Sequence, residues 1–400
     1  MNKKIFIFAL LCFLAVLPLR SEIMLFENED YKFNFYGFFQ LDAAYQSDMM
    51  NSYTAPRYPL PETVANDDAT TNLTAMSSRF GFKWQGPVVY GATRVNGCLE
   101  WDLFDGTSRN QMKFRTRLAY FELKGEGYSI IAGQHWDLFA AGMPNTLVTN
   151  GFYWETGNTG FRRAQIRYTR FWKSGEFAIS LGDPTADNAI KDGTPLLNAR
   201  YAYKFADKKG HVGISCAYGQ EDLKTTSTYP DRIEGDVDIW GLSLDARIPV
   251  SEEFFVLGEL TRGKNMKTFL SRSYSYYDPV DEEYRGMDAT AGWLEMLYSG
   301  SKVDCFLGYA TEHLTDDDDI ADGQLKDDEA YFFGIIHKLG KGVSYGVEIT
   351  RFAGDYKELE ESRSMQVLFS MKYVFPTLWA CCMRHLPIIR GSRSTPVSTS

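Results

Sequence analysis

Basic residues at alternate positions of two segments in the first half of the chain have the type and spacing to attract anions. Lys113, Arg115 and Arg117 alternate with other residues in one segment, and Arg163 and Arg167 do so in another. Side chains of a β-strand point alternately to its two faces, so each basic set would share one face. Guanidinium groups form planar forks that suit carboxylates. If both segments are strands, the pattern predicts an anion-attracting surface.

The apolar partners of the basic residues decide which face is which. We expect Phe114, Leu118 and Tyr120 to face outward, which would turn the basic residues of that segment inward. The same rule places three more arginines and three acids on the inner face: Arg79, Arg94, Arg200, Asp42, Glu100 and Asp102. Charges of both signs across a narrow aqueous passage would set up a transverse field. The alternative is that they pair with one another and only satisfy a polar interior.

Other kinds of chemistry have little support in the sequence. The five histidines are scattered, and no serine lies in a nucleophile-elbow motif. The acidic run Asp316 to Asp319, with Asp322 and Glu329 beyond it, could suggest calcium, but Ile320 falls at a ligand position of a calcium loop. The formal net charge of -10 argues against nucleic-acid binding. We therefore predict no enzyme, no cofactor, no metal site and no nucleic-acid partner, with the acidic run forming a solvated loop.

The elements that would position the charges are transmembrane strands. In the segment 364–375 the apolar side chains alternate with Gln366, Ser370 and Lys372, the pattern of a strand with one face in lipid and one in a polar interior. Aromatic residues make up 15% of the chain, which also suits such strands. Sixteen segments of this kind are predicted: 32–46, 77–85, 92–104, 112–123, 128–136, 162–171, 176–182, 197–205, 211–219, 237–248, 253–262, 289–298, 302–311, 329–337, 343–352 and 364–375.

The connections between these segments alternate in length. Short Gly, Lys or Pro turns follow every second segment, and most of the others are followed by long loops such as 47–76, 137–161 and 263–288. This predicts an all-β, closed antiparallel transmembrane barrel with short periplasmic turns and long extracellular loops, rather than a soluble sandwich. The loop 137–161, the third on the extracellular side, is apolar and aromatic, so we expect it to fold inward as a constriction loop. Its residues of interest are Met143, Asn145, Tyr153, Trp154 and Glu155.

The chain divides into three regions. Residues 1–21 have the form of a signal peptide, with Lys3 and Lys4 before an apolar run. Residues 31–375 would form the barrel, and the atypical tail 376–400 would be unstructured. For the tail, a frameshift or readthrough is favoured over a natural periplasmic segment. Cys98, Cys216 and Cys305 lie singly in separate segments, so free thiols are expected.

Several stretches resemble the DcaP-like porins of bacterial outer membranes. The likeness rests on GFFQLDAAYQ, SSRFGFKW, RTRLAYFELKG, AGQHWDLF and NTGFRRAQIRYTRFW. It implies a sixteen-stranded homotrimer, a third loop folded into the pore and uptake of small anionic solutes such as dicarboxylates. We expect this protein to lack the helical amino-terminal extension that some members carry. Phe369, Tyr373 and Phe375 resemble the closing strand that the barrel-assembly machinery recognises, and this implies an assembly signal.

The functional prediction is a passive diffusion channel in the lipid of the outer membrane of a Gram-negative-type bacterium. It would pass small hydrophilic solutes with a preference for anions. The alternative is a structural or adhesive barrel that binds partners through its acidic surface loops.

Overall fold

The part of the chain that the structure describes forms twenty β-strands. A computed structural model describes residues 22–52, 54–62, 68–104, 112–184, 194–223, 235–278, 280–315 and 320–375. The strands are β1 (Glu22–Glu27), β2 (Lys32–Gln46), β3 (Thr70–Thr74), β4 (Arg79–Val88), β5 (Arg94–Asp102), β6 (Arg115–Gly125), β7 (Tyr128–Trp136), β8 (Arg162–Trp172), β9 (Gly175–Gly182), β10 (Leu196–Phe205), β11 (Gly210–Leu223), β12 (Gly235–Pro249), β13 (Phe254–Lys264), β14 (Ser275–Asp278), β15 (Glu283–Gly286), β16 (Asp288–Ser299), β17 (Val303–Leu314), β18 (Leu325–Gly340), β19 (Val343–Tyr356) and β20 (Ser362–Val374). Short 3₁₀ segments occur at Ala206–Lys208 and Met266–Phe269. None of the described residues form a helix long and apolar enough to span a bilayer.

Sixteen strands close into one antiparallel barrel. Each barrel strand pairs with the next in chain order, with β3 lying beside β2 and the β14–β15 hairpin forming a separate small sheet in a loop. The barrel closes where β20 pairs with β2, from Phe38 opposite Val374 to Gln46 opposite Gln366. The predicted fold class is therefore confirmed. The strand predicted at 128–136 has the bounds of β7, whereas β18 begins at Leu325 rather than at 329.

The alternation of side chains that predicted the strands is present in the barrel wall. In β20, Phe369 and Tyr373 are exposed on the outside, whereas Gln366 and Ser370 are buried inside. The same alternation runs through much of β11 and through β12 from Trp240 to Asp245, where apolar residues lie outside and small or polar ones inside. The outer surface is thus an apolar band that suits lipid, and the interior holds the polar side chains.

The closing seam contains a strand that the sequence pattern did not reveal. β1 pairs with β2 from Glu22 opposite Tyr36 to Glu27 opposite Lys32, on the edge of β2 that β20 leaves at Phe38. Its pairing shifts at a bulge between Met24 and Phe26, which breaks the alternation that would have predicted a strand. The predicted signal peptide and the tail 376–400 lie outside the described residues.

Candidate functional site

The third loop, residues 137–161, lies inside the barrel against strands β13, β16 and β19. Three inward carboxylates on these strands accept its hydrogen bonds. Glu259 accepts the backbone N–H of Gly142 at 2.8 Å, and Glu295 accepts the backbone and side-chain N–H groups of Asn145. The third acceptor is Glu348. The loop is therefore attached to the wall by side chains that point into the lumen.

Glu348 makes the densest set of these contacts. Its carboxylate accepts the hydroxyl of Thr146 at 2.9 Å, the backbone N–H of Leu147 at 2.6 Å and the hydroxyl of Tyr153 at 2.8 Å. Burial, and then the nearby charge of Glu348, raise the pKa of the loop residue Tyr153 well above its ordinary value. Tyr153 is thus a neutral hydrogen-bond donor that holds the loop in place.

The loop also completes an apolar core inside the barrel. The ring of Tyr153 stacks on Phe332 with centroids 4.3 Å apart, and Phe306 and Phe352 lie in the same cluster. These phenylalanines point inward from β17, β18 and β19. An apolar packing of loop and wall therefore lies beside the three carboxylates on the β13–β19 side of the lumen, and most of the predicted arginines lie on the β4–β8 wall.

Three long loops interlock at the long-loop end of the barrel. Glu155 of the third loop pairs with Arg57 of the first loop. The backbone carbonyl of Glu155 accepts Arg272 Nε of the sixth loop (residues 265–287) at 3.2 Å, and Arg272 also pairs with Asp328 at 3.1 Å. Burial alone would lower the pKa of Arg272, but the charges of Asp328 and Glu312 raise it above its ordinary value. These contacts attach the third loop to the other long loops, and the carboxylates attach it to the barrel wall.

The predicted constriction residues occupy different environments in this loop. Tyr153 and Trp154 are buried, whereas Met143, Asn145 and Glu155 are half-buried. All five belong to the loop that lies inside the barrel. Their role as a size limit stays a prediction.

Several of the predicted lumen charges form one network on the β4–β6 wall. Arg117, only 1% exposed, donates to Glu100 at 2.8 Å and to Asp102 at 2.9 Å. Arg115 donates to Asp102 at 2.6 Å, and Arg79 Nε lies 3.8 Å from Glu100. The arginines are thus paired with the predicted acids, and Arg117 is shielded from water.

The other predicted charges lie apart from this network. Arg163 pairs with Asp137 at the root of the third loop, 2.7 Å apart, and Arg200 pairs with Asp245 on the β10–β12 wall. Arg167 donates to the side chain of Gln165 and to the backbone carbonyl of Trp136. The remaining three are placed as follows: Arg94 donates to the carbonyl of Gly86 at a short turn, Lys113 is exposed ahead of β6, and Asp42 accepts from Gln40 and Ser77 at the closing seam.

The predicted outward face of Leu118 and Tyr120 is wrong. The pairing of β5 with β6 shifts by one residue, so that Glu100 lies opposite Leu118 while Trp101 lies opposite Thr116. Arg117 is the extra residue of this bulge, and beyond it the inward positions change parity. Tyr120 lies opposite Cys98, and its ring is 4.7 Å from that of His135. The bulge explains how Arg117 can reach both acids.

Sequence reasoning missed Arg162, the first residue of β8. Its guanidinium lies 4.6 Å from the ring of Trp136 and 4.6 Å from that of Phe161. Arg117 approaches the same Trp136 ring at 5.7 Å. Strict alternation assigns Arg162 to the outward face next to the inward Arg163. The available signal was its place at a strand end, where alternation weakens, between aromatic residues.

The three residues of the predicted assembly signal lie at the closing seam. Phe369 and Tyr373 are exposed on the outer surface. Phe375 is 8% exposed, and its ring packs 5.5 Å from Phe35 and 5.3 Å from Phe39. Recognition of these residues during assembly stays a prediction.

The side chains that could ligate a metal are scattered over the described residues. No group of three or more His, Cys, Asp or Glu side chains within those ranges is placed to hold an ion. The acidic run Asp316 to Asp319 lies outside them. Cys98, Cys216 and Cys305 are free thiols on three different strands.

Gly241 of β12 provides a test of how the third loop is rooted. A β-carbon there would overlap the ring of Phe139, which packs in the space that glycine leaves. We expect Gly241→Ala to displace Phe139 and to destabilise the barrel by about 1–3 kcal/mol through overpacking. Phe139→Ala removes the obstacle, so thermal unfolding of the double variant should show a coupling of about 0.5–3 kcal/mol. Strictly additive effects would contradict the packing described.

Comparison with solved structures identifies the class of fold. The barrel has the fold of outer-membrane porins, whose solved examples align over nearly their whole length. The outer membrane channel DcaP of Acinetobacter baumannii aligns with a TM-score of 0.73 at 19% identity, covering 88% of this chain and 99% of its own. This agrees with the resemblance seen in the sequence.

Two further solved structures share the fold. The anion-selective porin from Comamonas acidovorans aligns with a TM-score of 0.58 at 15% identity, covering 86% of this chain and 100% of its own. Salmonella typhi OmpF, solved with daunomycin, aligns with a TM-score of 0.60 at 12% identity, covering 88% and 99%. No family model matches the sequence, and no curated protein matches it.

Proposed function

We propose that the protein is an outer-membrane porin, a passive diffusion channel for small hydrophilic solutes that prefers anions. The observation that carries the anion preference is an excess of positive charge on the β4–β8 wall. Four guanidinium groups, those of Arg79, Arg115, Arg117 and Arg162, surround only two carboxylates, those of Glu100 and Asp102. The four are linked by ion pairs and by the shared ring of Trp136.

The excess charge acts where water can reach it. The side chain of Arg115 is 29% exposed and that of Arg79 is 19% exposed, whereas Arg117 and Asp102 are sealed off. The buried pairs fix the position of the network, and the two accessible arginines present its net charge to the lumen. Fixed positive charge beside a narrow aqueous path lowers the entry cost of an anion and raises that of a cation.

The third loop supports the size limit in this proposal. It lies in the lumen and is attached at both its root and its middle. Asn150 of the loop also accepts a hydrogen bond from Arg115, so free solute would pass through the part of the lumen that the loop leaves open beside the arginine network. Small carboxylates such as dicarboxylates fit the charge and planar geometry of the accessible arginines.

Trimer formation and the surroundings of the barrel belong to the same proposal. Among the aligned structures, one from Vibrio cholerae is described as a trimer form. The apolar outer band would contact outer-membrane lipid and neighbouring copies in a homotrimer, and Phe375 with its neighbours would serve assembly.

The test is ion selectivity in planar bilayers. Across a potassium chloride gradient, the refolded protein should give a reversal potential whose sign shows that chloride permeates more readily than potassium. Arg79→Gln with Arg115→Gln should move that potential toward the cation side. The control is Arg285→Gln, which removes an exposed, acid-paired arginine of the β14–β15 hairpin and should leave the potential unchanged. Refolded barrels without channels would overturn the porin assignment, and a cation preference unaffected by the double variant would overturn the anion preference.

A further inference from the structure

Arg162 is a buried cation whose charge is not paired with an acid of the described part of the chain. The residue is 6% exposed, and neither its Nε nor its Nη1 finds a hydrogen-bond partner among the described residues. Its neighbours on both faces are aromatic rings, Trp136 and Phe161. Cation–π contacts favour the charge, but they leave the in-plane N–H groups without acceptors.

The nearby acids are already engaged. Asp102 accepts from both Arg115 and Arg117, and Glu100 accepts from Arg117 and from the hydroxyl of Tyr36. A buried charge is normally paired or bound to an ion, because an isolated one is costly to desolvate. The site therefore lacks one negative group.

The third loop brings further unpaired donors to the rings that flank Arg162 and to the neighbouring Arg115. Trp154 is 2% exposed, its indole N–H has no partner, and its ring packs on both rings that flank Arg162, at 6.4 Å from Trp136 and 5.6 Å from Phe161. The side-chain amide nitrogen of Asn150 also has no partner, while its oxygen accepts Arg115. Buried donors of this kind are rare without an ion or a water beside them. The unpaired groups of Arg162, Trp154 and Asn150 are all N–H donors, so each lacks a hydrogen-bond acceptor.

We propose that Arg162, with the indole N–H of Trp154 and the amide N–H of Asn150, binds a small anion at the root of the third loop. The ligand is a monovalent acceptor of N–H hydrogen bonds, either a halide or a single carboxylate group. The site joins strand β8 to the third loop, so an occupied site holds the loop against the arginine wall. The claim that permeating anions bind here transiently rests on the proposed function. The claim that the site binds an anion at equilibrium does not.

Iodide and acetate are the probes, because Trp136 and Trp154 lie at the site. Collisional quenching of tryptophan fluorescence keeps increasing with iodide concentration, whereas quenching by bound iodide levels off once the site is full. We expect a saturable part of the tryptophan quenching in refolded barrels in detergent, and acetate, which does not quench, should reverse it. Arg162→Met keeps the side chain between the rings but removes charge and donors, so it should weaken the saturable binding at least about tenfold. Arg285→Met is the matched control and should bind as the wild type does.

The outcomes separate this site from the channel proposal. Quenching that is purely collisional in the wild type, or equally saturable in Arg162→Met, overturns the site. If Arg162→Met does not fold, Arg162→Lys retains the charge and should keep weaker saturable binding; unchanged affinity there also overturns the role of the guanidinium. Bromide soaked into crystals supplies a second measurement, because an anomalous peak should lie beside Arg162. A site that binds iodide in a barrel without anion preference would leave the site intact and the proposed function refuted.

Discussion

Glu348→Ala is expected to release the third loop from the barrel wall, raising single-channel conductance and lowering stability. The carboxylate accepts hydrogen bonds from the half-buried Thr146 and from the buried Leu147 and Tyr153, all on the loop. Removing the acceptor leaves these donors unpaired, and because each buried unpaired group costs about 1–3 kcal/mol, we expect a total loss of about 3–5 kcal/mol. A displaced loop widens the part of the lumen that the loop narrows. Planar-bilayer conductance and thermal unfolding measure the two effects.

Two variants bracket this prediction. Glu348→Gln keeps one acceptor oxygen and should lie between the wild type and Glu348→Ala in both measurements. Glu360→Ala removes the same group from an exposed position in the last loop and should change neither. Equal conductance in Glu348→Ala and Glu360→Ala would show that the loop does not limit the path.

Much of the barrel could be predicted because its wall repeats one rule. Each strand alternates apolar and polar side chains, and each short turn returns the chain to the same side, so sixteen strands follow from local sequence. The rule fails where one residue is inserted. At Arg117 the bulge reverses parity, and Leu118 and Tyr120 turn to the opposite face from the one predicted. The inserted residue is defined by the pairing of β6 with β5, so its position could not be derived from the sequence of β6 alone.

The interior was less predictable because it depends on contacts between distant segments. Arg115 and Arg117 could be placed inside by alternation, but their pairing with Asp102 depends on the register between β5 and β6. Glu259 and Glu295 occupy inward positions of their strands, so alternation could have identified them as lumen acids. That they hold the third loop could not be derived, since a loop has no period to fix its path.

Asp102→Asn is expected to destabilise the barrel by about 3–5 kcal/mol while increasing its preference for anions. The carboxylate is fully buried and balances Arg115 and Arg117, so the neutral amide leaves two guanidinium groups with one acid fewer. The free energy of unfolding should fall, whereas the anion preference should rise because more positive charge lies beside the path. Thermal unfolding and reversal potential measure them separately. Asp207→Asn is the control, because Asp207 is exposed at a short turn with a left-handed backbone that Asn also adopts, and it should change neither quantity. If Asp102→Asn matched the wild type in both, the buried ion-pair network would be neither a structural support nor the source of the field.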